Sequence, residues 1–233
     1  MGKRIAIVQS SYIPWKGYFD LIRSVDEFVL YDDAQFTKRD WRSRNRIKTS
    51  AGLHWLSVPV QVKGRFTQSV REATISDAGW AERHWQTIRG AYARAPFFAA
   101  AEASLRELFA TVPSAALSEC NHHLIRGLCR MLEIATPLTW SMDYALSGDR
   151  TGRLVAMCVQ AGATEYVSGP AAREYIDEQQ FTDAGVALTF ANYDGYPEYP
   201  QLHPRPLRTA CPSSTGAGRG NCRRRDRGEK AGD

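Results

Sequence analysis

The chain is 233 residues long, 43% hydrophobic and 11% aromatic, enough to bury a core within one large domain. No apolar run approaches the roughly 18 residues that a membrane span needs, and the apolar piece at residues 5–8 is too short for a signal-peptide core, so a cytoplasmic protein without a membrane span is expected. The net charge of +5 sits in the last thirty residues, where eight Lys/Arg face three Asp/Glu; residues 1–203 carry 22 of each sign and lack the electrostatic footprint of a nucleic-acid binder.

Residues 4–9 form a short β-branched run that reads as a buried strand. A polar loop with Pro14 follows, then an amphipathic helix through about Val25 with Tyr18, Leu21, Ile22 and Val25 on one side. Residues 27–31 read as a second buried strand ending in Asp32-Asp33. Strand-like runs at 47–49 and 53–60 flank a Gly52-containing turn, which is a hairpin signal. Helical patterns at 80–93, 97–111 and 117–132 are punctuated by Pro96 and Pro113. The remainder alternates strand (137–140), helix (151–160), strand (165–167), short helix (171–177) and strand (186–192). The pattern predicts an α/β fold with a mostly parallel, Rossmann-like sheet, a β-hairpin insertion and a helical middle segment.

Residues 1–203 are expected to form one domain. Residues 204–233 hold no aromatic, Ile, Val or Met, but five Gly and three Pro, and cannot bury enough apolar area to offset their ordering entropy. They read as a disordered basic tail with the composition of an aberrant or frame-shifted end. The cysteines (Cys120, Cys129, Cys158, Cys211, Cys222) are odd in number and form no Cys-x-x-Cys pair, so neither a disulfide framework nor a zinc site is expected.

In an open α/β sheet, ligands collect beyond the carboxyl ends of the strands. The first strand delivers Gln9-Ser10-Ser11-Tyr12 there, the second Asp32-Asp33, and the strand at 165–167 delivers Ser168-Gly169. In the first loop, Trp15, Gly17 and Tyr18 admit two readings: a packed aromatic loop, or a place where Gly17 lets a ligand approach the backbone at a helix N-terminus. Residues 32–47 mix carboxylates with five cations and two aromatics. Arginine forks suit phosphate or carboxylate, and Phe36 or Trp41 could stack on a planar base. A solvated charged loop is the alternative.

Asp32 and Asp33 suit a divalent cation beside a diphosphate, or pair with Lys38 and Arg39 without one; the cofactor stays open and no metal ligand is assigned. Adjacent residues on extended chain point in opposite directions, so one of the two faces the site, with Asp33 preferred. Asn121 falls on the apolar stripe Leu117, Leu124, Leu128, Met131 of its helix and needs a partner. His122-His123 diverge on a helix and make a poor metal pair. Gly148-Asp149-Arg150-Thr151 opens a helix, with a cap at Asp149 or Thr151 and an anion site at Arg150 as a further possibility. Residues 193–203, rich in Tyr and Pro, should cross the surface as an extended segment whose tyrosines could wall a sugar or a base.

Taken together, Gln9-x-x-Tyr12-x-Pro14-Trp15-x-Gly17-Tyr18, Tyr31-Asp32-Asp33-x-Gln35-Phe36-x-Lys38-Arg39-x-Trp41-x-x-Arg44-Asn45, Gly148-Asp149-Arg150-Thr151, Tyr166-Val167-Ser168-Gly169-Pro170 and Tyr196-Pro197-Glu198-Tyr199-Pro200-Gln201 resemble the signature of the WbqC-like family of bacterial surface-polysaccharide clusters. The family usually has Pro where Ser10 stands, and it continues into a terminal apolar helix that residues 204–233 do not supply. The resemblance implies work on nucleotide-activated sugars in O-antigen or other polysaccharide biosynthesis. The leading expectation is transfer of an acyl or aminoacyl group to a nucleotide-linked amino sugar, with Asp32 and Asp33 as catalytic groups. Gln9, Tyr12, Trp15, Gly17, Tyr18, Lys38, Arg39, Trp41, Arg44, Asn45, Asn121, Asp149, Arg150, Ser168, Gly169, Tyr199 and Gln201 would bind substrate. Nucleotidyl or adenylyl transfer is an alternative weakened by the absence of both signature histidines of such enzymes; a non-catalytic binding module is another.

Overall fold

The computed structural model describes residues 2–113, 115–197 and 199–203. The tail proposed at 204–233, with Cys211 and Cys222, lies outside the described residues.

Five strands make one parallel sheet: β1 (Arg4–Val8), β2 (Glu27–Leu30), β5 (Leu138–Trp140), β6 (Glu165–Ser168) and β7 (Ala187–Phe190), in the order β5-β2-β1-β6-β7. Every residue of β2 is buried, as a central parallel strand covered on both faces requires. Alternation sorts the side chains. Ala6, Phe28, Leu30 and Val167 point towards α1 (Lys16–Arg23) and α4 (Leu117–Met131), whereas Ile5, Ile7, Val29 and Tyr166 point towards α5 (Arg150–Gln160) and α6 (Glu178–Asp183). Fully burying each such side chain contributes roughly 1.5–3 kcal/mol.

The insertion between β2 and β5 builds a third cluster. The hairpin β3 (Arg44–Thr49) and β4 (Gly52–Ser57) packs with α2 (Trp80–Tyr92) and α3 (Phe98–Ala110) around Leu56, Val70, Trp80, Trp85 and Phe109. Helix α4 joins the clusters: Leu117, Cys120 and Leu124 face the insertion, while Ile125 and Cys129 face the sheet. Met131, expected on the same apolar stripe, is exposed because it falls in the last turn beyond the sheet-facing cluster.

Three boundaries differ from expectation. Strand β3 starts at Arg44, so the last quarter of what reads as a charged loop is strand, paired throughout with β4. The short helix expected at 171–177 is a 3-10 turn at Pro170–Glu174. Helix α6 follows it, too short and polar to declare itself by periodicity but capped by Asp177, which accepts from the Gln179 N–H at 3.1 Å.

The topology fixes where a ligand crevice can open. From β1 the chain steps outward through β2 to β5, then returns across the sheet to β6 on the other side of β1. The direction reverses between β1 and β6, and loops leaving those two strands diverge there.

Candidate functional site

The loops after β1 and β2 are joined by a buried polar network. Asp32 has no exposed surface; its carboxylate accepts the Ser10 N–H at 2.8 Å and the Ser118 hydroxyl. Asn121, also sealed, donates through Nδ2 to Ser10 Oγ at 3.1 Å and to the Arg42 carbonyl at 2.9 Å. Its Oδ1 is buried with no partner among the described residues. Arg42 in turn holds the Gln9 side chain through its guanidinium, with Nε 2.5 Å from Oε1. Burial pushes the Asp32 pKa up, while the hydrogen bonds of Ser118 and Ser10 and the charge of Arg42 oppose that shift.

Asp33 points the other way, as strand alternation requires. It is partly accessible, paired with Arg71 at 2.9 Å and accepting the Ser141 hydroxyl at 2.6 Å. Neither carboxylate is paired with Lys38 or Arg39, because Arg71 takes that role for Asp33 and uncharged donors satisfy Asp32. Lys38 packs over Phe66 at 5.5 Å, beside a cleft of about 330 Å³ lined by Phe36, Val62 and Arg65. A second cleft, about 460 Å³, lies between the hairpin turn and the end of α2, bordered by Leu202 and His203.

Several aromatic candidates prove to be pillars. Tyr12 is fully buried, edge-on to Trp80, and its hydroxyl is hydrogen-bonded to His84 Nδ1 at 2.7 Å, while its N–H donates to the Trp41 carbonyl at 2.9 Å. Tyr18 is buried against Phe28 and donates to the Gln9 carbonyl at 3.1 Å. At Gly17 the group that approaches the backbone is the protein's own Trp15 indole: a Cβ there would meet a ring carbon at 2.3 Å. Trp15 packs edge-on against Tyr193 (4.9 Å) and Tyr196 (6.2 Å).

Beyond the strand ends, contacts tie the hairpin and the first loop to each other and to residues 193–197 and 199–203. Asn45 donates to the Ile13 carbonyl, tying the hairpin to the first loop. Lys16 lies 4.1 Å from the Tyr196 ring centre and 5.5 Å from that of Tyr199, and Gln201 binds Lys48. Segment 193–203 therefore crosses from α1 to the hairpin. Arg44 stacks on Trp55 at 4.0 Å, with Trp41 beside it. Burial lowers the Arg44 pKa, and the charges of Arg39 and Arg46 add to that effect.

Across β1, Ser168 is buried at the end of β6, its hydroxyl 3.4 Å from that of Tyr166. A Cβ on Gly169 would meet nothing within 4 Å. Asp149 caps α5 by accepting the Gly152 N–H at 2.7 Å, and Arg150 stacks on Tyr175 at 3.5 Å. These two stand on the α5 side of the sheet, apart from the hairpin.

The sequence placed Ser10 and Arg42 near the site without assigning them a partner, and it did not point to Ser118, which bonds Asp32, or to Arg71 and Ser141, which bond Asp33. A signal existed for Ser118, one turn before Asn121 on the same helix face. Arg71 and Ser141 are brought in by tertiary packing alone. Among the described residues, no group of three or more His, Cys, Asp or Glu side chains is placed to hold a metal ion, and His122 instead packs against Trp140 at 4.7 Å. No helix among them is long and apolar enough to cross a membrane.

A five-stranded parallel sheet flanked by helices, with an inserted antiparallel hairpin, places the protein among Rossmann-like α/β proteins. Comparison with known proteins narrows this. Residues 9–206 match the WbqC-like protein family, and the chain belongs to it. A protein of Mycobacterium tuberculosis (strain ATCC 25618 / H37Rv), described as uncharacterized, is 52% identical over 200 residues, which is 86% of this chain and 87% of the relative. No solved structure matches.

Proposed function

We propose that the chain transfers an acyl or aminoacyl group to a nucleotide-linked amino sugar during assembly of a bacterial surface polysaccharide. The observation that carries this reading is the shared rim: the network through Gln9, Ser10, Asp32, Arg42 and Asn121 fixes the loops of two neighbouring strands against the hairpin and α4. Such pre-organised loops at strand ends hold a small ligand without further ordering cost. The substrate class is what the resemblance to the family implies.

In this reading Asp33, the more accessible carboxylate, takes the proton as the sugar amine attacks the activated acyl carbon, the new C–N bond forms and the bond to the leaving group breaks. Asp32 acts through Ser10 and Ser118 as a positioning residue. Gln9, Trp41, Arg44, Tyr199 and Gln201 line the hairpin side of the ligand, and Gly169, at the end of β6, its far side. Because both carboxylates are engaged within the protein, a non-catalytic binding module is the second reading.

Calorimetric titration with nucleotide-linked amino sugars, followed by mass spectrometry of mixtures with acyl donors, tests both. Transferase function predicts binding that Asp33→Asn preserves and product that it lowers at least a hundredfold. Binding without product in every mixture favours the module, and no binding at all overturns both readings.

A further inference from the structure

The outward face of the hairpin carries a group of side chains that the network leaves unused. In the antiparallel register Arg46 stands opposite Trp55 and Arg44 opposite Ser57, so both arginines and Trp55 share one face. The opposite face carries Ile47 and Leu56 into the core of the insertion. Arg44 lies 4.0 Å from the Trp55 ring centre; Arg46 lies 5.1 Å from Trp55 and 5.8 Å from Trp41. The two indoles are 5.7 Å apart and tilted by 39°, too close and too oblique to admit a planar base between them. The two indoles brace the guanidinium groups, which are half-exposed.

Neither guanidinium forms an ion pair or hydrogen bond with a described residue, whereas those of Arg71, Arg83 and Arg89 each pair with a carboxylate. The nearby carboxylate of Asp40 accepts the Trp41 N–H at 2.6 Å and lies 3.9 Å from Arg42. Arg39 adds a third charge close enough to depress the Arg44 pKa. The Asp40 charge offsets part of this repulsion, and a bound dianion would offset more. Lys48, next on the same face, is held by Gln201 and marks the edge of the patch.

We propose that this face is a diphosphate clamp, in which Arg44 and Arg46, braced by Trp55 and Trp41, grip two adjacent phosphoryl groups. The proposal rests on the reading of a nucleotide-linked sugar as substrate and names where its diphosphate is held. Guanidinium forks match phosphoryl oxygens in pairs, and aromatic bracing lowers the entropy lost on binding.

The test is calorimetry on the full chain at low salt with inorganic pyrophosphate, uridine diphosphate, orthophosphate and a ten-residue oligothymidylate. Pyrophosphate and the nucleoside diphosphate are expected to bind with similar affinity, at least tenfold tighter than orthophosphate. Arg44→Gln and Arg46→Gln should each weaken both at least tenfold, and Arg46→Lys, which keeps the charge without the fork, at least fivefold. Arg126→Gln, on the exposed side of α4, should change nothing. Absent pyrophosphate binding, binding indifferent to Arg44→Gln and Arg46→Gln, or tighter binding of the oligonucleotide than of the diphosphates overturns the clamp. Clamp binding without acyl transfer would leave this site standing and remove only the transferase reading.

Discussion

Acid should weaken this fold through one residue that the site depends on. His84 is buried beside Trp80, accepts the Tyr12 hydroxyl on Nδ1 at 2.7 Å, and is bonded to the Ser57 carbonyl, so the neutral ring with its proton on Nε2 satisfies both partners. Burial pushes its pKa down from 6.5 to about 4, with the Arg83 charge adding and the Ser57 carbonyl opposing. Above about pH 6.5 the ring is neutral in both folded and unfolded chains. Between 6.5 and 4 only the unfolded chain takes up the proton, so stability falls as pH is lowered; below 4 the folded state also protonates and the loss stops growing. At 1.36 kcal/mol per unit this is at most about 3 kcal/mol, and less where water reaches the ring edge. Urea unfolding at intervals from pH 7.5 to 4 should show the wild type losing about 2–3 kcal/mol more than His84→Phe, whose own defects do not titrate in that range. Parallel pH profiles, or an NMR titration placing His84 near 6.5, would refute the reasoning.

Two further substitutions probe how the rim is held. Asn121→Ala removes the donors to Ser10 and Arg42 and strands the Arg42 carbonyl, which should cost about 2–3 kcal/mol even after relief of the unpartnered Oδ1; a loss under about 1 kcal/mol in urea unfolding would show that it does not bridge the loops. Gly17→Ala forces the Trp15 ring off its seat and away from Tyr193 and Tyr196. The expected result is a melting temperature within a few degrees of wild type but faster proteolytic cleavage within residues 193–203, and unchanged cleavage there would count against the indole as the anchor of that segment.

Much of the fold was legible because its signals are local. The apolar runs of β1 and β2, the Gly52 turn and the three helices bounded by prolines all sit within a few residues of their expected limits. Placement of the candidate site beyond the strand ends follows from topology, and Asn121 on an apolar stripe announced a buried partner. What failed to show was pairing across distance. Arg42 and Lys38 belong to the same charged run, yet one is spent on Gln9 and the other lies over Phe66. Period-two alternation placed Asp32 and Asp33 on opposite sides, but not which of them would be sealed.

The sequence by itself determined the alternation of strands and helices, the polar ends of the strands and the family, because each depends on residue order and near neighbours. Only the tertiary structure decided that Tyr12 and Tyr18 are pillars, that Trp15 occupies the space above Gly17, and that Arg44 and Arg46, beside Trp55, pair with no carboxylate among the described residues. The physical reason is that burial and charge pairing depend on which distant groups close packing brings within a few ångströms, and residues 32, 118 and 121 meet only once α4 has docked against the sheet.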